Sequence, residues 1–436
     1  MTTRGTSASA GSRQLDYCPR VLVLVENLSV PFDRRVWQEC CALTAANYRV
    51  EVICPRGTKQ DTGAFEEIDG IRIHRYPLTA ATGGPAGYLR EYATAIWRTL
   101  RIARRLSRYE RFDVVHACNP PDLLFLVALA LRRGGTRFLF DHHDLVPELF
   151  ESRFPGGARI LYQGSLALER LTFRTADAVI STNESYRKAA ISRGGMPEDR
   201  VRVVRSAPDL SRFVPREPDS TLKRGKRFLA CYLGVMGPQD GVDYALHAVA
   251  HLCGAMGRDD VHATFLGTGD AFDEMVSLTR RLGLEDVVEF TGRVPDETVQ
   301  RYLSTADVCL SPDPKNPLND VSSMNKVVEY MAMGRALVSF DLYEARVTAQ
   351  EAAVYALNND VTEFARLIGE LLDDPERRER MGKLGRQRVE CDLSWDVSRR
   401  NLLAAYDDLL ARPARRNEGR SHQPLRAVFR DRLSVR

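Results

Sequence analysis

Short apolar runs punctuate this chain at regular intervals, with longer amphipathic stretches between them, and the whole pattern occurs twice. The first series is VLVLVE from Val21, YRVEVIC from Tyr48, IRIHRY from Ile71, DVVHAC from Asp113, RFLFDH from Arg137, DAVIST from Asp177 and VRVVRS from Val201. Most are apolar at successive rather than alternate positions, which is how strands buried on both faces read. Helical patterns lie between several of them, for instance at 34–46 and 161–175. Alternating strands and helices imply a parallel sheet wrapped by helices. The stretch SAPDLSRFVPREPDS at 206–220 then reads as a linker, rich in proline, serine and charge. Beyond it the series restarts with FLACYLG from Phe228, VHATFLG from Val261, VVEFTG from Val287, ADVCLS from Ala306, ALVSFD from Ala336 and AAVYAL from Ala352. The expected fold is therefore α/β, two Rossmann-like doubly wound domains facing a central cleft, where open parallel sheets usually hold ligands.

Length supports two cores: the chain has 436 residues, and single cores stop growing at roughly 250–300. The expected organisation is a disordered leader at 1–19, a first domain at 20–210, a second at 211–394, a C-terminal helix at 395–411 and a basic disordered tail at 412–436. The leader lacks the apolar run of a signal peptide, and no stretch approaches the roughly 20 apolar residues that span a bilayer. Nine cysteines without CxxC spacing read as core thiols in a reducing compartment. These features predict a cytoplasmic protein.

Several function classes lack their residues. No GxGxxG follows the first strand, which runs into Glu26-Asn27-Leu28-Ser29, and there is neither a Walker A sequence nor an HExxH. A dehydrogenase or a P-loop kinase needs such glycines for close backbone approach to phosphate. The net charge of +4 is modest but uneven. Residues 88–111, YLREYATAIWRTLRIARRLSRYER, interleave arginines with Ile96, Trp97, Leu100, Ile102 and Leu106. That spacing reads either as a helix with a solvated cationic face or as a contact for an anionic membrane surface. Nucleic acid is not expected, since no binding motif accompanies the charge.

The segment PLNDVSSMNKVVEYMAMG, 317–334, carries the most chemistry. Ser322 or Ser323 is a candidate N-cap for a helix over 325–333, whose free N–H groups and dipole suit a diphosphate. Lys326 would add charge in the first turn, and Glu329, three residues on, shares its helical face. A carboxylate one turn deeper than a phosphate is placed to accept ribose hydroxyls. Equally, Lys326 and Glu329 read as a surface pair on an ordinary core helix.

This segment resembles the nucleotide-sugar site of the retaining GT-B glycosyltransferases of family 4, whose Glu-x7-Glu motif ends as Glu329-Tyr330-Met331-Ala332-Met333-Gly334 does. The resemblance runs over about residues 20–410. It implies that Glu329 holds the donor ribose, with Ser322, Ser323, Asn325 and Lys326 beside it. The motif's first acid falls on Val321, with Asp320 one residue out of register as the carboxylate near the transferred sugar. ENLSVPFDRRVWQE resembles the loop facing acceptor and diphosphate, bringing in Asp33, Arg34 and Arg35. FDHHDLVPELF resembles the strand ending in a histidine and an acid, which selects His143 and Asp144. At that strand end a neutral imidazole faces the cleft and can bond sugar hydroxyls. FLGTGD and FTGRVPDE resemble the nucleotide turn at Gly267 and Gly269 and the base-reading loop at Arg293 and Val294. The family's Gly-Arg-x4-Lys-Gly corresponds to the stretch from Gly234 to Gly241, where Val235 and Asp240 replace its two phosphate-gripping cations. The resemblance implies transfer of a sugar from a nucleoside-diphosphate sugar to a sugar or lipid-linked acceptor, retention of configuration, and no cofactor or obligatory metal. A peripheral position on the inner face of the membrane, in surface polysaccharide or glycolipid assembly, fits this reading. A nucleotide-sugar epimerase and a catalytically inert homologue acting as a binding partner share the architecture.

Overall fold

The computed structural model describes residues 17–57, 61–79, 84–132, 135–153, 159–211 and 213–412. The expected leader and basic tail lie almost wholly outside the described residues. The first unit runs β1 (Arg20–Leu24), α1 (Arg34–Ala45), β2 (Arg49–Pro55), β3 (Phe65–Ile68), β4 (Ile71–Tyr76) and α2 (Gly84–Ser107). It continues through β5 (Val114–Cys118), α3 (Phe125–Leu131), β6 (Arg137–His142), α4 (Val146–Arg153), α5 (Arg159–Thr175), β7 (Ala178–Ser181), α6 (Glu184–Ser192) and β8 (Val201–Val203). The second unit begins with β9 (Phe228–Leu233), α7 (Val242–Cys253), β10 (Val261–Leu266), α8 (Phe272–Arg281), β11 (Val288–Gly292) and α9 (Asp296–Thr305). There follow β12 (Val308–Ser311), α10 (Asn325–Ala332), β13 (Leu337–Phe340), α11 (Tyr343–Ala349) and β14 (Ala353–Ala356). The helices α12 (Val361–Asp373), α13 (Pro375–Arg388) and α14 (Trp395–Ala411) close the described chain.

The first sheet is eight-stranded in the order β3-β4-β2-β1-β5-β6-β7-β8, and the second six-stranded in the order β11-β10-β9-β12-β13-β14. All pairings are parallel except β3 with β4. Every apolar run named above forms a strand. The unforeseen one is β3, whose FEEI sequence is mostly exposed; a polar edge strand carries no apolar run to announce it. In β1 all of RVLVL is buried, Val21 and Val23 entering one apolar cluster and Leu22 and Leu24 the other. Each sheet is thus packed on both faces, as a doubly wound fold requires. The chain order reverses beside β1 and β9, and ligands bind in such sheets beyond the strand ends at that point.

One helix departs from a simple two-unit arrangement. The last, α14, returns to the first unit, where Leu402, Ala405, Tyr406 and Leu409 join the cluster of Val21, Val36 and Leu139. In α2 the sequence grouped Trp97 with the apolar residues, but the structure places it 58% exposed, with Arg101 stacked 5.7 Å from its ring. Leu100, Ile102 and Leu106 pack inward as expected. The outward stripe is Arg90, Trp97, Arg101, Arg104, Arg105 and Arg108. Among the described residues no helix is long and apolar enough to cross a membrane.

Candidate functional site

The carboxyl ends of the two sheets enclose a cavity of 460 Å³ whose lining includes Arg34, Arg35, Arg293, Asp296, Asn325 and Glu329. Asp33 caps α1, its carboxylate accepting from the Val36 N–H at 3.1 Å. This sends Arg34 across the cleft, where it pairs with Asp296 and stands 3.8 Å from Glu329. Phe32 crosses beside it, with the Arg293 guanidinium 3.8 Å from its ring centre. Val294 packs its side chain against the apolar cluster of the second unit.

Glu329 lies on α10 with 19% of its side chain exposed. Burial pushes its carboxyl from 4.5 to about 7, although Arg34 pulls the other way. The Lys326–Glu329 surface pair does not form. Lys326 points inward, its Nζ 2.6 Å from buried Asp313 and 5.1 Å from the Tyr232 ring. Burial disfavours its charge, but Asp313 outweighs that and holds the ammonium above its ordinary range. The expected phosphate cation is therefore already neutralised beneath the cleft.

The start of α10 also differs from expectation. Its N-cap is Met324, which makes no side-chain capping bond. Ser322 and Ser323 instead dock the two units. The Ser322 hydroxyl bonds Tyr186 at 3.0 Å, and Asn183 donates to Ser323 at 3.1 Å and to the Val321 carbonyl at 2.9 Å. Asp320 does not line the cavity: it accepts the Tyr343 N–H at 2.8 Å and pairs with Lys315 at 3.3 Å. In the turn after β9, Asp240 accepts the Gly237 N–H at 2.8 Å, and Val235 is exposed. Gly267 is demanded by packing within the domain, since a Cβ there would strike the Gly234 carbonyl; a Cβ at Gly269 would lie 2.6 Å from the Met236 carbonyl oxygen.

On the facing side, Arg35 is buried and already engaged by carboxylates. It donates to Asp141 at 2.8 Å and to the Val204 carbonyl at 2.8 Å, and pairs with Glu39 at 3.2 Å. Glu39, His116, Cys118 and Asp141 present ligand atoms within 4.8 Å of one another, yet the cation serving both carboxylates is this guanidinium. His143 follows β6, with Arg35 Nε 2.7 Å from its Nε2 and Asp141 bonded to the same nitrogen. Asn119 clamps the loop, accepting the His143 and Asp144 N–H groups at 2.6 and 3.1 Å and donating to the Asp144 carbonyl and to Asp122 at 2.7 and 3.0 Å. The spare histidine, His142, is sealed among Phe140, Phe173 and Tyr186. Burial holds it down to about 3, a neutral ring of the core. Sequence reasoning missed Asp141, Asn119 and Asp296. The only signal for Asp141 was a charge inside the apolar run RFLFDH.

Two Rossmann-like sheets facing one cleft define the GT-B architecture. The model of the glycosyl transferase 4-like domain matches residues 33–207, and that of the glycosyl transferases group 1 matches residues 214–388. This chain belongs to the group 1, family 4 glycosyltransferases. It is 25% identical over 323 residues to an MMP alpha-(1->4)-mannosyltransferase of Mycolicibacterium hassiacum, spanning 72% of this chain and 75% of that protein. It is 28% identical over 351 residues to a GDP-mannose-dependent monoacylated alpha-(1-6)-phosphatidylinositol monomannoside mannosyltransferase of Corynebacterium glutamicum, spanning 78% and 84%. Among solved structures, sucrose-phosphate synthase of Thermosynechococcus elongatus superposes with a TM-score of 0.73 at 19% identity, over 90% of this chain and 99% of that one. HepE of Anabaena in complex with UDP and glucose superposes with a TM-score of 0.65 at 17% identity, over 89% and 99%.

Proposed function

We propose that this glycosyltransferase moves a hexose from a nucleoside-diphosphate sugar to a lipid-linked acceptor with retention of configuration. The observation that carries the reading is Glu329, a largely buried carboxylate one turn into α10 on the wall of the interdomain cavity. Its neighbours suit a nucleotide: Asn325 and the α10 N–H groups for the diphosphate, the loop at Arg293 and Val294 for the base. Breaking a sugar–phosphate bond builds negative charge on the leaving diphosphate, and preorganised cations and N–H groups stabilise it. With Lys326 and Arg35 neutralised by their own carboxylates, that charge falls to Arg34 and Arg293, the former exchanging Asp296 for phosphate when donor binds. No divalent ion is needed in this scheme. Retention rests on the family resemblance, and so does the role of His143 as a partner for a sugar hydroxyl, since His143 does not itself line the cavity.

The lipid-linked acceptor is supported by the α2 stripe, where each cation near an anionic surface contributes about 1 kcal/mol, and by the relative whose name specifies a phosphatidylinositol mannoside. Sedimentation with anionic vesicles should carry the protein down at low salt, and the charge-reversed stripe should stay in solution.

The test of the donor is a thermal-shift screen across UDP, GDP and ADP sugars, since a ligand that binds the folded state raises its Tm by mass action. One nucleotide sugar should stabilise the wild type and not Glu329→Ala. Turnover of that sugar without an acceptor would favour an epimerase. Binding without diphosphate release under any acceptor would favour an inert homologue. Loss of turnover in EDTA, restored by Mg or Mn, would contradict the metal-free scheme.

A further inference from the structure

At the amino ends of β12 and β13, the edge of the second sheet away from the cleft, lies another cavity, of 530 Å³, that the transfer scheme does not use. Its wall combines the turn from α10 into β13, with Arg335, the residue before β12, Asp307, and one face of α13, with Arg378, Lys383 and Arg386. The length of the strands separates it from the cavity lined by Glu329. Helix α13 comes this close because it presents Gly382 to the turn: a Cβ there would lie 2.1 Å from the Gly334 carbonyl oxygen.

Three guanidinium groups meet in this wall because each closes a helix. A helix C-terminus leaves carbonyls unpaired and carries partial negative charge, which attracts cations. Arg335 donates to the Ala306 carbonyl at the end of α9, at 3.2 Å. Arg378 donates to the Leu371 and Leu372 carbonyls of α12, the latter at 2.7 Å, and Arg386 to the Ala332 carbonyl of α10. Each of these bonds uses only Nη1. The acids of the wall are engaged by other donors. Asp307 accepts from Lys223 and from the Leu229 N–H, each at 2.8 Å. Glu379 pairs with Lys383 and Glu390 with Arg386 along α13, each at 2.5 Å. Arg378 reaches Asp307 only at 4.0 Å. Among the described residues no carboxylate pairs with Arg335, and its Nε–H is buried without a hydrogen-bond partner. Burial holds this guanidinium below its ordinary range, although Cys309 and Asp307 pull the other way.

A partly dehydrated cation held on neutral carbonyls costs free energy that an anion in the same cavity recovers. Arginine forks match phosphate oxygens two at a time, and the volume is that of a small-molecule site. We propose that this cavity is a second site, distinct from the donor cleft, for a phosphate monoester, with Arg335 and Arg378 as its main partners and Lys383 at the rim. A soluble sugar phosphate and the head group of an anionic phospholipid share that chemistry. The site does not depend on what the cleft transfers.

Titration calorimetry of the full-length protein with inorganic phosphate and with glucose 6-phosphate, at constant ionic strength in chloride, tests it. The wild type should bind both. Arg335→Gln should weaken binding roughly tenfold or more, as a charged partner is lost, and Lys383→Glu several-fold. Arg34→Ala, which removes a cation from the cleft, should leave the affinity within about twofold of wild type. Should Arg335→Gln not fold, Lys383→Glu decides the matter, its side chain being 75% exposed. Sedimentation with phosphatidylcholine vesicles, with and without phosphatidic acid, separates the two sources. Release of the protein from phosphatidic acid vesicles by glucose 6-phosphate at constant ionic strength assigns the cavity to a lipid head group, and vesicle binding unaffected by glucose 6-phosphate assigns it to a soluble metabolite. A wild type that binds neither soluble phosphate overturns the proposal. So does affinity unchanged in the folded Arg335 and Lys383 variants, or phosphate binding lost in Arg34→Ala alone.

Discussion

Glu329→Gln separates the cost of the buried carboxylate from its use. Burial raises the carboxyl to about 7 against an ordinary 4.5, with Arg34 at 3.8 Å recovering part of the penalty. Between those two pH values the folded chain keeps a proton that the unfolded chain releases. The group's contribution to stability is thus full below about pH 4.5 and is lost as pH rises through about 7. A shift of that size corresponds to about 3 kcal/mol of destabilisation by pH 8. Glutamine has the same shape and does not ionise. At pH 8 the variant should be more stable than wild type by roughly 2–3 kcal/mol, the Arg34 attraction being forfeited, and by little at pH 5. Binding should move the other way. The ribose hydroxyls lose a charged acceptor for a neutral one, a difference of about 1–1.5 kcal/mol or roughly tenfold in affinity. Wild-type nucleotide affinity should rise as pH passes through about 7, and that of the variant should stay flat. Urea unfolding and nucleotide titration at pH 5 and pH 8 measure both. A variant less stable at pH 8, with affinity equal to wild type, would refute the assignment of Glu329 as a buried ribose acceptor.

Other substitutions probe separate parts of the site. Arg34→Ala should raise the donor KM roughly tenfold as a charged phosphate contact is lost, while unfolding free energy changes by about 1 kcal/mol or less because the pair is exposed. Lys326→Met leaves Asp313 buried without its cation and should cost about 3–5 kcal/mol in urea unfolding; a loss below 1 kcal/mol would contradict the inward pairing. Asn119→Ala orphans the N–H groups of His143 and Asp144, so the loop should loosen at a cost of about 1–3 kcal/mol. Turnover should fall more than nucleotide affinity, measured side by side.

The strands were legible because parallel strands buried on both faces must be apolar at successive positions, and β3 was not because its edge position needs no such run. Glu329 was singled out by the resemblance of its segment to the family motif, and the structure sets it on the cavity wall. The partners of the site were not. Lys326 reads as a phosphate cation until Asp313 is seen 2.6 Å from its Nζ. Arg35 likewise reads as a free cation for phosphate until Asp141, 106 residues away, is found to hold it. Ser322 and Ser323 have the chemistry of an N-cap, but the docking of Asn183 and Tyr186 engages both hydroxyls, and the helix starts after Met324 without a cap. Charge and capping patterns describe what a side chain can bond, and the topology decides which candidate is nearest.

The most direct test of the central claim is a crystal structure of the chain with its preferred nucleoside diphosphate. The account predicts the ribose hydroxyls on the Glu329 carboxylate, the diphosphate at Asn325 and the start of α10, and Arg34 moved from Asp296 onto phosphate. A nucleotide bound outside the 460 Å³ cavity, or inside it with the Arg34–Asp296 and Arg34–Glu329 pairs intact, would contradict it.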